Sequence, residues 1–235
     1  MRLNKFLSKA GVASRRKADE LIRIATTTVN GTLCLDPAYN VQKKDIIRYD
    51  NRLIKLNKKT VTILLNKPLG VITTVKDTHN RRTVMDYVKV KTRVFPIGRL
   101  DKDSTGAILL TNDGELHQFL SHPKNRVLKD YEVVIEDSLT NTHKDKLKKG
   151  IYIGYGEYGN AQVLSQVKLK KRSKIVLRLR QGKKREIRRI FNKLNLRLVS
   201  LNRIRISGLS LGDLKLGDFR FLDKKEVLAL KKKHN

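Results

Sequence analysis

Short apolar runs separated by glycine-bounded loops divide most of this chain into strands, with helical segments between them. Around residues 94–115, two apolar runs flank a loop that begins at Gly98 and ends at Gly106. This spacing predicts two strands joined by a loop. The same pattern predicts strands at 61–65, 71–75, 131–135, 174–180 and 199–206, and hairpin-like pieces at 209–222. Residues 151–159 are rich in glycine and tyrosine and are typical of a loop.

Apolar residues at helical spacing mark the remaining elements. Positions 3, 6, 7 and 10 predict a first helix that ends at Gly11, and Ser14 is a suitable N-cap for a second helix. The sequence of residues 29–32 then predicts a hairpin turn. Further helices are predicted after Gly114 and at 139–147, 187–194 and 226–230. Because strands and helices do not alternate regularly, we expect an α+β fold with a mixed, mainly antiparallel sheet flanked by helices.

These elements divide the chain into parts of different character. Residues 1–50 form a small helical and hairpin module, and residues 51–59 form a polar, lysine-rich segment that we interpret as a linker. Residues 60–230 form a second, larger domain, and residues 231–235 form a basic tail that we expect to be disordered. The linker predicts a flexible tether between the two domains.

The charge of the chain predicts a polyanionic partner. Its 235 residues include 53 Lys and Arg but only 22 Asp and Glu, which gives a formal net charge of +31. We favour nucleic acid over a membrane because no apolar run approaches the ~20 residues that a spanning helix needs. The single cysteine, Cys34, excludes an intramolecular disulfide and a cysteine-based zinc cluster, and we expect it in the core. The N-terminus lacks the apolar core of a signal peptide, so we expect a cytoplasmic protein.

Residues 168–205 are the most basic part of the chain, with 16 Lys and Arg against a single acid, Glu186. A strand–helix–strand unit of that density indicates a nucleic-acid-binding surface. The loop at 98–106, in contrast, carries Asp101 and Asp103. A rigidly held, ionised Asp101 is a candidate nucleophile or base, and an equally valid interpretation is a brace for the loop. A third possibility is a Mg²⁺ site for phosphodiester chemistry, built from Asp101, Asp103, Asp113 and Glu115.

The first 50 residues resemble the S4 RNA-binding module. The resemblance is carried by residues 2–7, 11–16, 18–19, 21–22 and 29–31, which cover most of the segment. It departs at 24–27, where family members usually carry a glycine and often a basic residue. The basic residues of this module are expected to contact RNA phosphates. They are Arg2, Lys5, Arg15, Arg16 and Lys17.

The central loop reads Gly-Arg-Leu-Asp at 98–101 and Ser-Thr-Gly at 104–106, and it resembles the catalytic motif of the pseudouridine synthases. The resemblance is to the branch that carries an S4 domain and modifies ribosomal RNA. Further matching pieces occur in the family's order at 65–71, 82–84, 111–116, 122–123, 129–131, 182–189 and 211–214. This resemblance implies an isomerisation in which the uridine C1′–N1 bond breaks, the uracil turns and its C5 bonds to C1′. It implies no cofactor and no metal, and ribosomal RNA or a pre-ribosomal particle as partner.

The same resemblance assigns roles to individual residues. Asp101 matches the essential aspartate, and Tyr131 matches an active-site tyrosine that stacks on the base, although its spacing alone also suits a core aromatic. Arg188 matches the basic residue that pairs with the aspartate; Arg185 or Arg189 takes that role if the alignment shifts by one turn. The residues expected to contact RNA in this domain are Lys67, Arg82, Arg99, Lys183, Lys184, Arg185 and Arg189. The chain departs from the family at Glu186, where glutamine is common, and at Ala107, where a larger apolar residue is usual.

The pattern around Asp77, residues 82–84 and residues 122–123 looks more like the large-subunit (23S) enzymes than the small-subunit ones. The sequence therefore predicts a monomeric pseudouridine synthase that acts on large-subunit ribosomal RNA. Three alternatives stay open: a small-subunit or tRNA enzyme, a non-catalytic RNA-binding or ribosome-assembly factor, and a metal-dependent nuclease.

Overall fold

The computed structural model describes residues 1–56 and 59–232 of the chain. Its contacts divide into two compact units. The first comprises Met1–Val61 with the short segments Lys91–Arg93 and Asn112–Gly114. The second comprises Thr62–Val90, Val94–Thr111 and the chain from Glu115 onward. Each unit buries a hydrophobic cluster of its own.

The first unit contains two helices and a small antiparallel sheet. Its elements are α1 (Leu3–Lys9), α2 (Arg15–Arg23), β1 (Thr27–Val29), β2 (Thr32–Leu33), β3 (Ile47–Tyr49) and β4 (Arg52–Leu53), with strand order β2-β1-β3-β4. Ser14 caps α2 as predicted, because its hydroxyl accepts the backbone N–H of Lys17 at 3.2 Å. Cys34 is only half-buried against this core, so the expected core cysteine lies at its edge.

The segment interpreted as a linker begins inside this unit. Strand β4 lies within residues 51–59 and pairs with β3, where Tyr49 faces Arg52. The polar composition of the segment concealed a two-residue edge strand, because such a strand has no buried face to show in the sequence. Residues 57–58 of the predicted linker lie outside the described part of the chain, as do residues 233–235 of the predicted basic tail.

The second unit is built on one large sheet. Its strands are β5 (Thr62–Lys67), β6 (Phe95–Ile97), β7 (Thr105–Thr111), β8 (Lys129–Glu136), β9 (Ile151–Gly154), β10 (Glu157–Gly159), β11 (Gln162–Leu169), β12 (Arg172–Leu179), β13 (Leu198–Ile206), β14 (Leu209–Ser210) and β15 (Phe219–Phe221). The strand order is β11-β12-β8-β13-β7-β5-β15, with β14 beside β13 and β6 beside β7. Among the described strands only β7 and β13 pair in parallel, so the predicted mixed, mainly antiparallel sheet is confirmed.

Helices flank this sheet. They are α3 (Gly114–Ser121), α4 (Asn141–Lys149), α5 (Glu186–Lys193) and α6 (Lys224–Leu230), with short 3₁₀ turns at Val84–Asp86 and Pro123–Asn125. Apolar residues of β7, α3 and α6 share one buried cluster that includes Leu109, Leu116 and Leu230. Helix α5 buries Ile187, Ile190 and Phe191, which is the apolar stripe that the sequence predicted.

The parallel junction between β7 and β13 depends on a glycine. Gly106 faces Arg203 across this pair and has a φ of +107°. A β-carbon at Gly106 would collide with the backbone carbonyl of Arg203 and with the side chain of Asn202. Only glycine therefore allows the two strands to approach at this point.

Several elements differ from the sequence prediction. Residues 71–75 form no strand, and Ile72 makes only one isolated bridge, to Thr83. The predicted loop at 151–159 is instead the hairpin β9–β10, and strand β11 was not predicted. Strands β14 and β15 do not pair with each other as a hairpin, since β15 pairs with β5. The strands that the sequence analysis missed or mispaired are short or exposed. Their side chains alternate little in burial, so they leave a weak pattern in the sequence.

Candidate active site

A cavity of about 1390 Å³ opens in the second unit, and seven of the ten site residues predicted in the larger domain line it. Asp101 belongs to the loop between β6 and β7, Tyr131 to β8, and Arg185 and Arg188 to the start of helix α5. Residues more than 80 positions apart in sequence therefore meet in one place. Arg203 of β13 also lines this cavity, although the sequence analysis did not single it out.

Hydrogen bonds to its backbone hold the loop that carries Asp101 in place. The buried Thr73 hydroxyl donates to the carbonyl of Leu100 at 2.9 Å and accepts the Leu100 N–H at 3.2 Å. The N–H of Gly70 donates to the carbonyl of Lys102 at 3.0 Å. Inside the loop, the Ser104 N–H donates to the Asp101 carbonyl at 3.1 Å. These bonds fix the backbone on both sides of Asp101, as a positioned catalytic carboxylate requires.

Lys67 also supports this loop. The prediction that it contacts RNA is wrong. Its side chain is fully buried, and its ammonium donates to the carbonyls of Pro68 at 2.9 Å and Val71 at 2.7 Å. Burial lowers the pKa of Lys67 to about 8, although Asp103 and Asp101 act in the opposite direction. Lys67 therefore holds the turn behind the Asp101 loop and has no surface on which RNA could bind.

Two arginines of α5 approach the carboxylate of Asp101. Arg188 Nε and Arg185 Nη1 each lie 3.8 Å from Asp101 Oδ2, an ion-pair distance longer than a hydrogen bond. Arg188 also donates from Nη2 to the carbonyl of Asp103 at 2.6 Å and to the hydroxyl of Ser104 at 3.3 Å. Arg188 thus hydrogen-bonds to the loop itself. Arg185 is more exposed, and among the described residues its ion pair is with the Asp101 carboxylate.

Arg189 faces away from Asp101. The alternative prediction, in which Arg189 pairs with Asp101, is therefore wrong. Its guanidinium donates to the carbonyls of Ile153 and Gly154, each at 2.9 Å, and to Glu157 Oε2 at 2.6 Å. All three acceptors belong to the β9–β10 hairpin. Arg189 therefore fastens this hairpin to α5.

Tyr131 and Arg203 face each other across the β8–β13 pairing. The Arg203 guanidinium carbon lies 5.9 Å from the centre of the Tyr131 ring, and Nη1 lies 3.5 Å from the tyrosine hydroxyl. Arg203 is 3% exposed, and its Nε donates to the carbonyl of Ala107 at 2.7 Å. Its Nη2 is buried and has no hydrogen-bond partner among the described residues. Tyr131 therefore forms a cavity wall held by a buried cation.

Comparison with known proteins gives this arrangement a family. The RNA pseudouridylate synthase family matches residues 61–193, which include Asp101, Tyr131 and Arg188, and the S4 domain family matches residues 1–47. This chain belongs to the RNA pseudouridylate synthase family. The synthase is thus an isomerase, with an S4 domain ahead of its catalytic domain, as the sequence predicted.

Individual relatives cover nearly the whole synthase. Ribosomal large subunit pseudouridine synthase B of Bacillus subtilis (strain 168) is 37% identical over 233 residues, or 98% of this chain and 95% of the relative. The dual-specificity RNA pseudouridine synthase RluF of Escherichia coli (strain K12) is 35% identical over 234 residues, or 98% of this chain and 78% of the relative. A crystal structure described as a pseudouridylate synthase has the same fold, with a TM-score of 0.70 at 24% identity over 98% of this chain and 99% of that one.

Lys129 and Glu186 also line the cavity, although the sequence analysis did not predict them as site residues. Burial, together with the nearby charge of Arg203, lowers the pKa of Lys129 to about 8, against the opposite effect of Glu186. Burial raises the pKa of Glu186, although Lys183 favours its ionised form. Glu186 accepts the Lys183 N–H at 3.0 Å and is nearly fully buried. It is therefore an interior group.

The other residues expected to contact RNA lie at the surface of their own units. Arg15, Arg16 and Lys17 are exposed on α2, with Lys17 paired to Glu20 at 2.8 Å. Arg2 is exposed and Lys5 is half-buried. In the catalytic domain, exposed cations surround or neighbour the cavity. They are Arg82, Arg99, Lys184 and Arg185. Lys183 is half-exposed and donates to the carbonyl of Tyr158 at 2.6 Å.

The acidic residues weighed as Mg²⁺ ligands are Asp101, Asp103, Asp113 and Glu115. Within residues 1–56 and 59–232, no group of three or more His, Cys, Asp and Glu side chains is arranged to hold a metal ion. Asp103 is exposed, and its carbonyl is bound by Arg188. In the same part of the chain, every helix is too short or too polar to cross a membrane.

Proposed function

We propose that this synthase converts one uridine of large-subunit ribosomal RNA to pseudouridine, with Asp101 as the essential carboxylate. The observation that carries the proposal is the position of Asp101, within ion-pair range of two arginines in a cavity that Tyr131 walls. The B. subtilis relative is named for the large ribosomal subunit, which supports this substrate. The name of the E. coli relative describes dual specificity, so a second RNA substrate is a further outcome to test.

The reaction exchanges one glycosidic bond for another. The C1′–N1 bond breaks, a C1′–C5 bond forms, and the proton on C5 is replaced by one on N1, so no atom is gained or lost. Asp101 starts this exchange either by attacking C1′ or by removing a sugar proton. Either role requires an ionised carboxylate, and Arg188 and Arg185 lie within ion-pair distance of it.

The target uridine must leave its stack before its sugar can reach Asp101. Tyr131 is 9% exposed and lines the cavity, where it would contact the flipped base, and the cations around the cavity would attract the phosphates on either side. The Tyr131 hydroxyl can relay a proton, because its oxygen can accept one as it gives its own proton to an acceptor. We therefore assign it to stacking on the uracil and to removal of the C5 proton.

The experiment is pseudouridine mapping of total ribosomal RNA by carbodiimide adduct formation and primer extension, in cells with and without the gene. We expect one stop in large-subunit RNA to vanish on deletion and to return with the wild type but not with Asp101→Asn. An unchanged ribosomal RNA map would contradict the proposal and direct the mapping to tRNA. Full complementation of growth by Asp101→Asn would support the non-catalytic factor. RNA cleavage by the purified protein that stops in EDTA would instead support the metal-dependent nuclease.

A further inference from the structure

The β9–β10 hairpin exposes three aromatic rings within seven residues. Tyr155 is 94% exposed, and Tyr158 and Tyr152 are 60% and 49% exposed. Tyr152 and Tyr158 contact each other edge to face, with ring centres 5.5 Å apart. A solvent-exposed aromatic cluster of this kind gains nothing from burial within the chain, so its rings are available to a partner.

The tip of the hairpin holds Tyr155 in a backbone conformation that disfavours it. Tyr155 has a φ of +56° and Gly156 a φ of +69°, so both residues of the two-residue turn are left-handed. Turns of this kind prefer asparagine, aspartate or glycine at these positions, and a bulky residue there is strained. Strained residues persist where the ring or the backbone is needed, and they gather at functional sites.

The ring of Tyr155 is nevertheless supported from below. The guanidinium carbon of Arg189 lies 5.4 Å from its centre, and the same guanidinium is fixed by Ile153, Gly154 and Glu157. The hydroxyl of Tyr152 accepts the Gly156 N–H at 3.4 Å. One face of Tyr155 is thus held by a cation, and the residue is otherwise open to solvent.

The hairpin is tied to the segment that carries the site arginines. Arg189 follows Arg188 directly on α5, and Lys183 donates to the Tyr158 carbonyl at 2.6 Å. A molecule bound on the tyrosines is therefore positioned relative to Asp101 through one helix. The cations Lys183, Lys184 and Arg185 belong to the same segment, while the carboxylate of Glu157 is paired with Arg189.

We propose that Tyr155, with Tyr152 and Tyr158, forms a platform on which unpaired RNA bases next to the target uridine stack. This inference rests on the proposed function, because it assumes an RNA whose uridine is flipped into the cavity. Flipping exposes the faces of the neighbouring bases, and aromatic side chains replace the lost stacking without regard to base identity. The surrounding positive charge and the formal net charge of +31 favour RNA over an apolar protein surface as the occupant.

The test compares Tyr155→Asn with Tyr155→Trp in the purified full-length protein. The substrate is a ribosomal RNA fragment that contains the mapped uridine. Asparagine suits the left-handed turn, so we expect Tyr155→Asn to have an unchanged or higher Tm while its KM rises at least about fivefold. We expect Tyr155→Trp to keep a near wild-type KM because it retains the aromatic face. A Tyr155→Asn protein with wild-type KM, or a Trp variant as weak as Asn, would overturn the platform.

A second readout separates stacking from charge. A 2-aminopurine base beside the target uridine should be quenched on binding to wild type and Tyr155→Trp, but not on binding to Tyr155→Asn. The slope of log affinity against log salt should stay unchanged in Tyr155→Asn and become shallower in Lys184→Ala, because only the lysine neutralises a phosphate. If Tyr155→Asn fails only on assembled particles and acts normally on naked RNA, the platform binds a ribosomal protein and our proposal is wrong.

These experiments distinguish this proposal from the proposed function. The KM comparison requires an active wild type, whereas the affinity and 2-aminopurine measurements require only binding. If the wild type modifies no ribosomal RNA, the proposed function fails. The Tyr155 variants are then compared for binding to a single-stranded RNA oligonucleotide of mixed sequence, and equal affinity for wild type and Tyr155→Asn would overturn the platform separately.

Discussion

Arg203 Nη1 lies 3.5 Å from the Tyr131 hydroxyl, and the two residues occupy opposed positions on the adjacent strands β13 and β8. The same guanidinium binds the Ala107 carbonyl of β7, so one buried cation links three neighbouring strands at the cavity wall. This contact explains how Tyr131 can wall an open cavity and still keep one orientation. Under the proposed function the orientation of Tyr131 matters, because the stacking and proton transfer assigned to it both depend on where its ring and hydroxyl point.

Replacing Arg203 by methionine should therefore lower kcat by about 10-fold or more while KM changes little. The aliphatic part of the side chain remains, but the hydrogen bonds to Tyr131 and Ala107 are lost. Arg203→Lys keeps the charge without the planar geometry, and we expect it to recover only part of the activity. Single-turnover kinetics on an RNA fragment measure the effect. A methionine variant that loses affinity and keeps kcat would assign Arg203 to RNA binding instead.

Arg188 and Arg185 should differ although both lie 3.8 Å from Asp101. Arg188→Met removes the cation and also the bonds to Asp103 and Ser104 that hold the loop, so we expect kcat to fall by about 100-fold or more. Arg185→Met removes an exposed partner alone, and we expect a loss of about 10-fold or less. The same kinetic assay compares the two matched variants. Equal losses of kcat in the two variants would show that the hydrogen bonds from Arg188 to the loop contribute nothing to catalysis.

Replacing Glu186 by glutamine should stabilise the fold at neutral pH. Burial raises the pKa of Glu186 above its ordinary value of 4.5, so the folded state holds the proton more tightly than the unfolded state. The stability that this group contributes is therefore fully present below pH 4.5 and is lost as pH rises through the raised pKa. Glutamine cannot ionise, so its advantage should be smallest near pH 4.5 and should grow toward pH 7.

Thermal unfolding from pH 4.5 to 7.5 measures this difference. For a chain of this size, a Tm gain of about 2–4 °C corresponds to roughly 1 kcal/mol. Glu20→Gln on the exposed face of α2 is the control for the loss of one negative charge. A constant Tm difference across the pH range would contradict burial as the cause.

Gly106→Ala should be among the most damaging single methyl additions in this chain. The new methyl group would meet the backbone of Arg203, which cannot move without breaking the β7–β13 pairing, and the φ of +107° adds strain. We expect a loss of about 3 kcal/mol or more, measured by urea unfolding. Gly182→Ala is the matched control, because its β-carbon would meet only the end of the Lys129 side chain, at 3.8 Å. Similar midpoints for the two variants would refute the clash.

The sequence predicted the elements whose side chains alternate between a buried and an exposed face. Strand β8 and helix α5 belong to this group. The roles of Asp101, Tyr131 and Arg188 came instead from the resemblance to the pseudouridine synthases, and they stay predictions. Strand β11 and the β9–β10 hairpin are largely exposed on both faces, and they leave no such alternation. Their tyrosines were visible as residues, but only the fold shows that they face solvent.

The burial of single charged residues, such as Arg203 and Lys67, could not be predicted from the sequence. Both belong to a chain with 53 Lys and Arg, in which one more basic residue carries no signal of burial. Arg203 is one of 16 basic residues at 168–205, and Lys67 lies within a family motif that says nothing of its surroundings. Their burial follows from contacts with residues far away in sequence, such as Ala107 for Arg203. Tertiary structure alone could therefore separate these interior cations from the surface ones.

The position of β13 between β8 and β7 also sets the order in which the site is completed while the ribosome makes the chain. Asp101 and Tyr131 are synthesised early, but the strand that carries Arg203 must enter between two strands that already exist. At about 5–20 residues per second, residue 203 follows residue 131 by roughly 4–14 s. During that interval the nascent chain holds Tyr131 without the cation that contacts its hydroxyl. A chain released before β13 is made thus lacks a finished site, even though Asp101, Tyr131 and Arg188 are all present in it.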